Sequence, residues 1–204
     1  MPTIEQLNMW KNKKNLEKNK LKSLENKLNK SIILGLDLSK NNPGLSIINK
    51  DTNQVLYSDN FKGDSKEELY FRMLEIKYWL SDIIFNFRPA FVLIEAPFIS
   101  FKSTNGNDTL LQLNGYLRHF IKSFGIKIFS ILPSQARAFL NIKPNTKEQA
   151  FEWVKNNFPE IELESFKKDN DRADAIIVGL NFFNPKKKEI FEVNLEEEKN
   201  ERIN

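Results

Sequence analysis

The chain has 204 residues, no cysteine and a formal charge of +4, which allows one domain with a full core and excludes disulfides and thiolate metal sites. No apolar run reaches the roughly 18 to 20 residues of a membrane span, and the amino terminus carries no signal-peptide core, so a cytoplasmic protein without membrane attachment is expected. Residues 1–30 hold eight Lys and three Glu, residues 186–204 hold five Lys or Arg and six Glu, and the stretch between is neutral. A basic arm on a neutral body suits a polyanionic partner, although a Lys-rich helix surface also arises from solubility alone.

From Thr3 to Asn29 there is neither Pro nor Gly, and Ile4, Leu7, Trp10, Leu21, Leu24 and Leu28 recur at helical steps around a polar interruption from Lys11 to Asn15. A helical arm over 1–30 is expected ahead of a body over 31–185. The body opens with the apolar run Ile32-Ile33-Leu34-Gly35-Leu36-Asp37-Leu38-Ser39, then Asn42-Pro43-Gly44 and a second branched run from Leu45 to Ile48. These read as two strands joined by a tight connection. Gln54 to Ser58 reads as a third strand, antiparallel to the second. Ser65, with Glu67 and Glu68 behind it, caps a long amphipathic helix reaching Phe87, where Arg88-Pro89 stops it. A fourth strand runs from Phe91 to Glu95.

A polar loop from Ile99 to Asp108 leads into a helix with Leu110, Leu113, Leu117 and Phe120 on one side. His119 on this helix reads as a surface or internally satisfied histidine. Lys127 to Ile131 is a fifth strand, Pro133 opens a short helix through Leu140, Lys147 to Asn157 is another helix, and Asp169 to Phe183 is the last. Past Pro185 the alternation of Lys and Glu has little apolar content, so the tail over 186–204 is expected to lack fixed structure. Strand, hairpin, helix and strand in this order describe an α/β layer on a mixed five-stranded sheet flanked by helices.

Three segments of this body each place acids beside core-forming residues: Asp37 ends the first strand, Glu95 ends the fourth, and Asp171 and Asp174 share one face of the last helix. An ionised carboxylate among apolar residues needs a paired charge or a metal. Each acid alone has an ordinary explanation, a strand-end acid or, for Asp171, a helix cap. Together they suggest one shared site, and all-oxygen ligation points to Mg²⁺ or Mn²⁺ rather than zinc. A pair of such ions roughly 4 Å apart supports in-line phosphoryl displacement, the chemistry of a nuclease.

At these residues the sequence resembles the RuvC-type Holliday junction resolvases, within the ribonuclease H-like nucleases, over roughly residues 31 to 183. Gly35-Leu36-Asp37-Leu38-Ser39 with Gly44 looks like the family's first strand, especially in its phage branch. Ile94-Glu95-Ala96-Pro97-Phe98 resembles the second acidic motif, and Asp171-Arg172-Ala173-Asp174-Ala175 is similar to the terminal Asp-x-x-Asp-Ala motif. Asp108 to Leu117, with Gly115, resembles the helix that supplies much of the family's dimer contact, and Lys147-Glu148-Gln149 the Lys-containing start of the next helix.

The resemblance implies a homodimer in a bacterial or phage-infected cell that binds a four-way DNA junction. It would nick two strands symmetrically with two divalent ions, Mg²⁺ or Mn²⁺, per active site. By that analogy Asp37 bridges the metals, Glu95 and Asp174 complete their shells, and Asp171 ligates or positions water. Lys147 stabilises charge on the phosphate, Arg137 contacts the DNA backbone, and Phe98 stacks on bases near the crossover. Lys147 and Arg137 could instead be solvated helix charges and Phe98 plain core. Leu38-Ser39-Lys40 intervenes before Pro43-Gly44, where cellular members have Pro-Gly directly after the first Asp, and the arm over 1–30 has no counterpart. The rival functions are a ribonuclease H-like nuclease on RNA:DNA hybrids or other branched DNA, a junction-binding module that does not cut, and a sugar-kinase-like domain. The last lacks its Gly-rich phosphate loop and has no room for a second domain.

Overall fold

Ile33, Gly35 and Asp37 alternate with Ile32, Leu34 and Leu36 along one extended segment, β1 (Asn29–Asp37), and both sets are buried. A strand covered on both faces reads as continuous apolar sequence, and β1 does so because it lies at the centre of the sheet. The computed structural model describes residues 28–39, 42–64, 66–97 and 104–184. The arm over 1–27, Ser65, Phe98 with the loop to Ser103, and the tail from Pro185 lie outside the described residues. The helix expected to be capped at Ser65 starts later, at Leu69, with Glu68 at its N-cap and no side-chain cap bond, so Glu67 and Glu68 precede its first turn.

The other strands are β2 (Gly44–Asn49), β3 (Gln54–Asn60), β4 (Pro89–Glu95) and β5 (Lys127–Ile131). Their order across the sheet is β3-β2-β1-β4-β5. The β1-β2-β3 ribbon is antiparallel, with Asp37 opposite Gly44, whereas β4 joins β1 in parallel with Leu36 opposite Ile94, and β5 joins β4 in parallel with Glu95 opposite Ile131. This is the expected mixed five-stranded sheet. The described strand begins at Asn29, so the helical pattern of the arm does not extend through its last two residues; backbone pairing to Pro89 overrides it there.

Among the described residues, five α-helices cover the two faces. On one side α1 (Leu69–Phe87) and α2 (Thr104–Lys122) bury Ile76, Leu80, Ile84, Leu113, Leu117 and Ile121 against Leu34, Leu36, Leu38, Val92 and Ile94. On the other, α3 (Pro133–Phe139), α4 (Lys147–Asn157) and α5 (Phe166–Leu180) bury Ala136, Phe151, Val154, Ile176 and Ile177 against Ile33, Phe91 and Leu93. Arg88 ends α1 in the left-handed conformation, with its N–H bonded to the Ile84 carbonyl, and Pro89 then starts β4 at once.

Helix α5 starts three residues before the expected Asp169. The reason is local: Asp169 Oδ2 accepts from the backbone N–H groups of Glu164 and Ser165, at 2.7 and 3.3 Å, and so anchors a turn upstream of itself. Asp171 therefore lies inside the helix, and the end-capping role considered for it falls to Asp169.

Candidate active site

Strand parity and helix placement assemble the site. Counting back by twos from Asp37 gives Gly35 and Ile33, and from Glu95 gives Leu93 and Phe91. Ile33, Leu93 and Phe91 all belong to the core beneath α5, so both acids point to the α5 face. Because β1 and β4 are parallel neighbours in register, the two carboxylates emerge side by side at the C-terminal ends of the strands.

Helix α5 can reach them because two glycines let it lie directly on the sheet. A Cβ on Gly35 would sit 2.3 Å from the Ala175 carbonyl oxygen, and one on Gly44 would sit 2.1 Å from that of Asp171. The Ser46 hydroxyl donates to the Ala175 carbonyl at 2.9 Å, tying helix to strand at the same level. Arg172 donates from Nε to Ser58 Oγ at 2.8 Å and from Nη1 to the Glu162 carbonyl at 3.0 Å, fixing the rotation of the helix. Asp171 and Asp174, three residues apart, consequently face the strand ends together.

Carboxylate oxygens of Asp37, Glu95 and Asp174 all lie within 4.8 Å of one another. Asp171 is linked to them through Lys147, whose Nζ is 3.1 Å from Asp174 Oδ2, 3.5 Å from Asp171 Oδ1 and 3.8 Å from Asp37 Oδ2. Lys147 is the first residue of α4, where Thr146 caps the helix by accepting from the Gln149 N–H. A cation is disfavoured at a helix N-terminus by the backbone dipoles, and here three carboxylates compensate. Burial alone would lower the Lys147 pKa, but Asp37, Asp174 and Asp171 outweigh it and hold the amine firmly charged.

The second cation is Arg137, at the end of α3. Its side chain is buried and one guanidinium nitrogen, Nη2, donates to both oxygens of Asp174 at 3.1 and 3.2 Å. Arg137, the residue expected to contact the DNA backbone, directs its guanidinium inward onto Asp174. Asn181, fully buried at the end of α5, donates to the Ala136 and Ile177 carbonyls and so locks α3 to α5 beside this pair.

Four acids thus face two cations, leaving two excess negative charges when all are ionised. The strain of that excess is visible in the acids. Burial, then repulsion from Glu95, pushes the Asp37 pKa well above the usual carboxylate range, although Lys147 pulls the other way. Glu95 is raised to about 7 by burial and then by Asp174, against Lys147 and Arg137. Asp37 Oδ2 is buried and has no hydrogen-bond partner among the described residues. A buried carboxylate oxygen that makes no hydrogen bond and meets only the Lys147 amine at 3.8 Å, within a cluster of hard oxygen donors, fits a divalent cation, and Asp37, Glu95 and Asp174 are the residues that could hold it.

A cleft of about 290 Å³ opens over these groups. Its lining runs from Lys147 and Asp171 on the α4–α5 side, across Asp37 and Glu95, to Leu110 and Asn114 on α2. Asn114 was not singled out from sequence. Its signal was present, since Leu110, Asn114 and Leu117 share one stripe of α2 and a lone amide interrupts it.

Among proteins of known function, the chain is 28% identical over 162 residues to the crossover junction endodeoxyribonuclease RuvC of Rickettsia typhi, covering 72% of this chain and 94% of that protein. It is 28% identical over 127 residues to the RuvC of Orientia tsutsugamushi, covering 61% and 79%. No family model matches. Among solved structures, Thermus thermophilus RuvC in complex with a Holliday junction superposes with a TM-score of 0.60 at 18% identity, over 73% of this chain and 90% of that one. Along nearly the whole of the Rickettsia protein the chain is thus similar in sequence to the RuvC crossover junction endodeoxyribonucleases, and it shares the fold of the Thermus RuvC structure.

Proposed function

We propose that the chain is a metal-dependent endonuclease that resolves four-way DNA junctions by paired, symmetric nicks. The observation that carries this reading is the convergence of Asp37, Glu95 and Asp174 within 4.8 Å at the ends of two parallel strands. They share a cleft with a charged lysine and belong to a chain whose sequence relatives are crossover junction endodeoxyribonucleases.

Asp37, Glu95 and Asp174 hold Mg²⁺ or Mn²⁺, with Asp171 completing the set or orienting water through its contact with Lys147. Two such ions, when bound, supply an activated water and neutralise the leaving oxygen. The remaining work falls to the chain itself. Lys147, solvent-accessible on one side, is the group positioned to meet a phosphate oxygen entering the cleft, where a fixed cation stabilises accumulating negative charge. Arg137, donating to both oxygens of Asp174, keeps that carboxylate aimed. Phe98 stacks on a base near the crossover, and the basic arm over 1–30 adds phosphate contacts outside the cleft.

Two nicks placed symmetrically require two active sites, which a homodimer supplies. Helix α2 offers the surface: Leu111 is 41% exposed and a Cβ on Gly115 would meet nothing within 4 Å. A panel of labelled four-way junction, linear duplex and RNA:DNA hybrid in Mg²⁺ tests the proposal. Paired nicks confined to the junction and abolished by Asp37→Asn support it, whereas cutting of the hybrid alone, or binding without cutting, contradicts it.

A further inference from the structure

The two walls of the cleft differ in chemistry. Toward α4 and α5 it is lined by Lys147, Asp37 and Asp171. Toward α2 it is lined by Leu110 and Asn114, with Leu38, which belongs to the core on that face, at the edge. Lys147 is the sole cation among the lining residues. A phosphate therefore belongs at the first wall, and an uncharged, partly flat group at the second.

Asn114 is 93% buried, being 7% exposed, and its two amide atoms are in different situations. Oδ1 accepts from Arg118 Nε at 2.5 Å, and Arg118 in turn donates from Nη2 to Ser130 Oγ at 2.6 Å on β5. Because Arg118 can only donate, this pair fixes which end of the carboxamide is oxygen. Nδ2 is left as a donor without an acceptor among the described residues. A buried donor left unpaired is costly, and Asn114 lines the cleft, where an acceptor can be supplied.

We propose that the α2 side of the cleft is a nucleobase subsite in which Asn114 Nδ2 donates to a carbonyl oxygen of a nucleotide flanking the scissile phosphate. The inference rests on the nuclease reading above and adds to it a residue that selects where the cut falls. The cleft volume sits near the lower bound of roughly 300 Å³ for small-ligand sites, which suits one nucleotide and not a duplex. Leu110 and Leu38 supply the apolar contact, and the amide supplies the discrimination. Thymine, guanine and cytosine carry a carbonyl oxygen, and adenine carries none.

The test is the rate of cleavage on a set of junctions in which the nucleotides on either side of the mapped nick are varied through all four bases. The parent is expected to disfavour adenine at one of these positions by about tenfold. Asn114→Ala should flatten that preference, and Asn114→Asp, which exchanges the donor for an acceptor, should shift it toward adenine, which offers an amino group and no carbonyl, and away from thymine, which offers carbonyls and no amino group. Asn114→Ser serves the same purpose should either variant fold poorly, as judged by circular dichroism. A parent indifferent to base at both positions, or variants that slow every junction by one common factor while keeping the parent's ratios, would overturn the proposal. Should the parent cut no junction, the nuclease reading fails. The subsite is then judged by binding of the same junctions in Ca²⁺, where a base preference abolished by Asn114→Ala upholds it and equal affinities refute it.

Discussion

Arg137 places a single guanidinium nitrogen against both carboxylate oxygens of Asp174, at 3.1 and 3.2 Å, in a setting where both side chains are almost wholly buried. Removing one member of such a pair leaves the other as an uncompensated buried charge, at about 3–5 kcal/mol. Lys147, 3.1 Å from the same acid, softens the loss. Arg137→Met should therefore destabilise the metal-free protein by about 3 kcal/mol in urea unfolding, and Mg²⁺ should restore part of that by supplying the missing positive charge. A variant as stable as the parent in EDTA would show that the Arg137–Asp174 contact contributes nothing to the fold.

The raised acids give a pH dependence with a definite sign. Glu95 in the fold is held up at about 7, above the roughly 4.3 of an unperturbed glutamate. Between those values the folded state keeps a proton that the unfolded state has lost. Stability from this group is therefore full at low pH and declines as pH rises through the window, levelling above it; Asp37, shifted in the same direction, adds to the decline. In EDTA, Glu95→Gln should be more stable than the parent at pH 8, by on the order of 1–2 kcal/mol, with little difference near pH 4. Thermal melts at a series of pH values read this directly, and parallel curves for the two proteins would refute it.

Close approach of α5 to the sheet leads to a prediction that alters no charged side chain. A Cβ on Gly44 would lie 2.1 Å from the Asp171 carbonyl oxygen and 2.5 Å from the Arg172 nitrogen, both backbone atoms that cannot move alone. Gly44→Ala should push the helix outward, cost about 1–3 kcal/mol as overpacking does, and lower kcat by more than the loss of folded protein explains. Activity normalised to folded fraction distinguishes this from simple destabilisation.

Much of the fold was readable because burial on both faces leaves a plain mark. β1 and β4 are uninterrupted branched apolar runs, and an acid at the end of each is conspicuous. The pairing of Asp171 with Asp174 followed from helical spacing alone. What the sequence did not reveal depends on contacts between distant elements. Gly35 and Gly44 look like turn or strand glycines until α5 is laid across them, and Arg137 looks like a solvated helix residue until Asp174 appears beneath it. The start of α5 was missed because Asp169 reaches back to the Glu164 and Ser165 N–H groups, a bond that hydrophobic periodicity does not encode. Asn114 was passed over because a single amide within a leucine stripe gains meaning only from the cleft it lines.

The homodimer proposed for symmetric nicking has its own check. Leu111, exposed on the outer face of α2, should contribute apolar area to the subunit contact, so Leu111→Lys should shift the protein toward monomer in light scattering. In such a monomer, single nicks should replace paired ones. Retention of the dimer by this variant would assign the contact to another surface.

The central claim is that Asp37, Glu95 and Asp174 share divalent metal, and calorimetric titration of Mn²⁺ into the parent, Asp37→Asn and Glu95→Gln tests it most directly. The account predicts saturable binding to the parent, and at least a tenfold weakening in each variant at pH 8 while all three remain folded. Equal Mn²⁺ affinity across the three proteins would contradict it and remove the metal from the proposed chemistry.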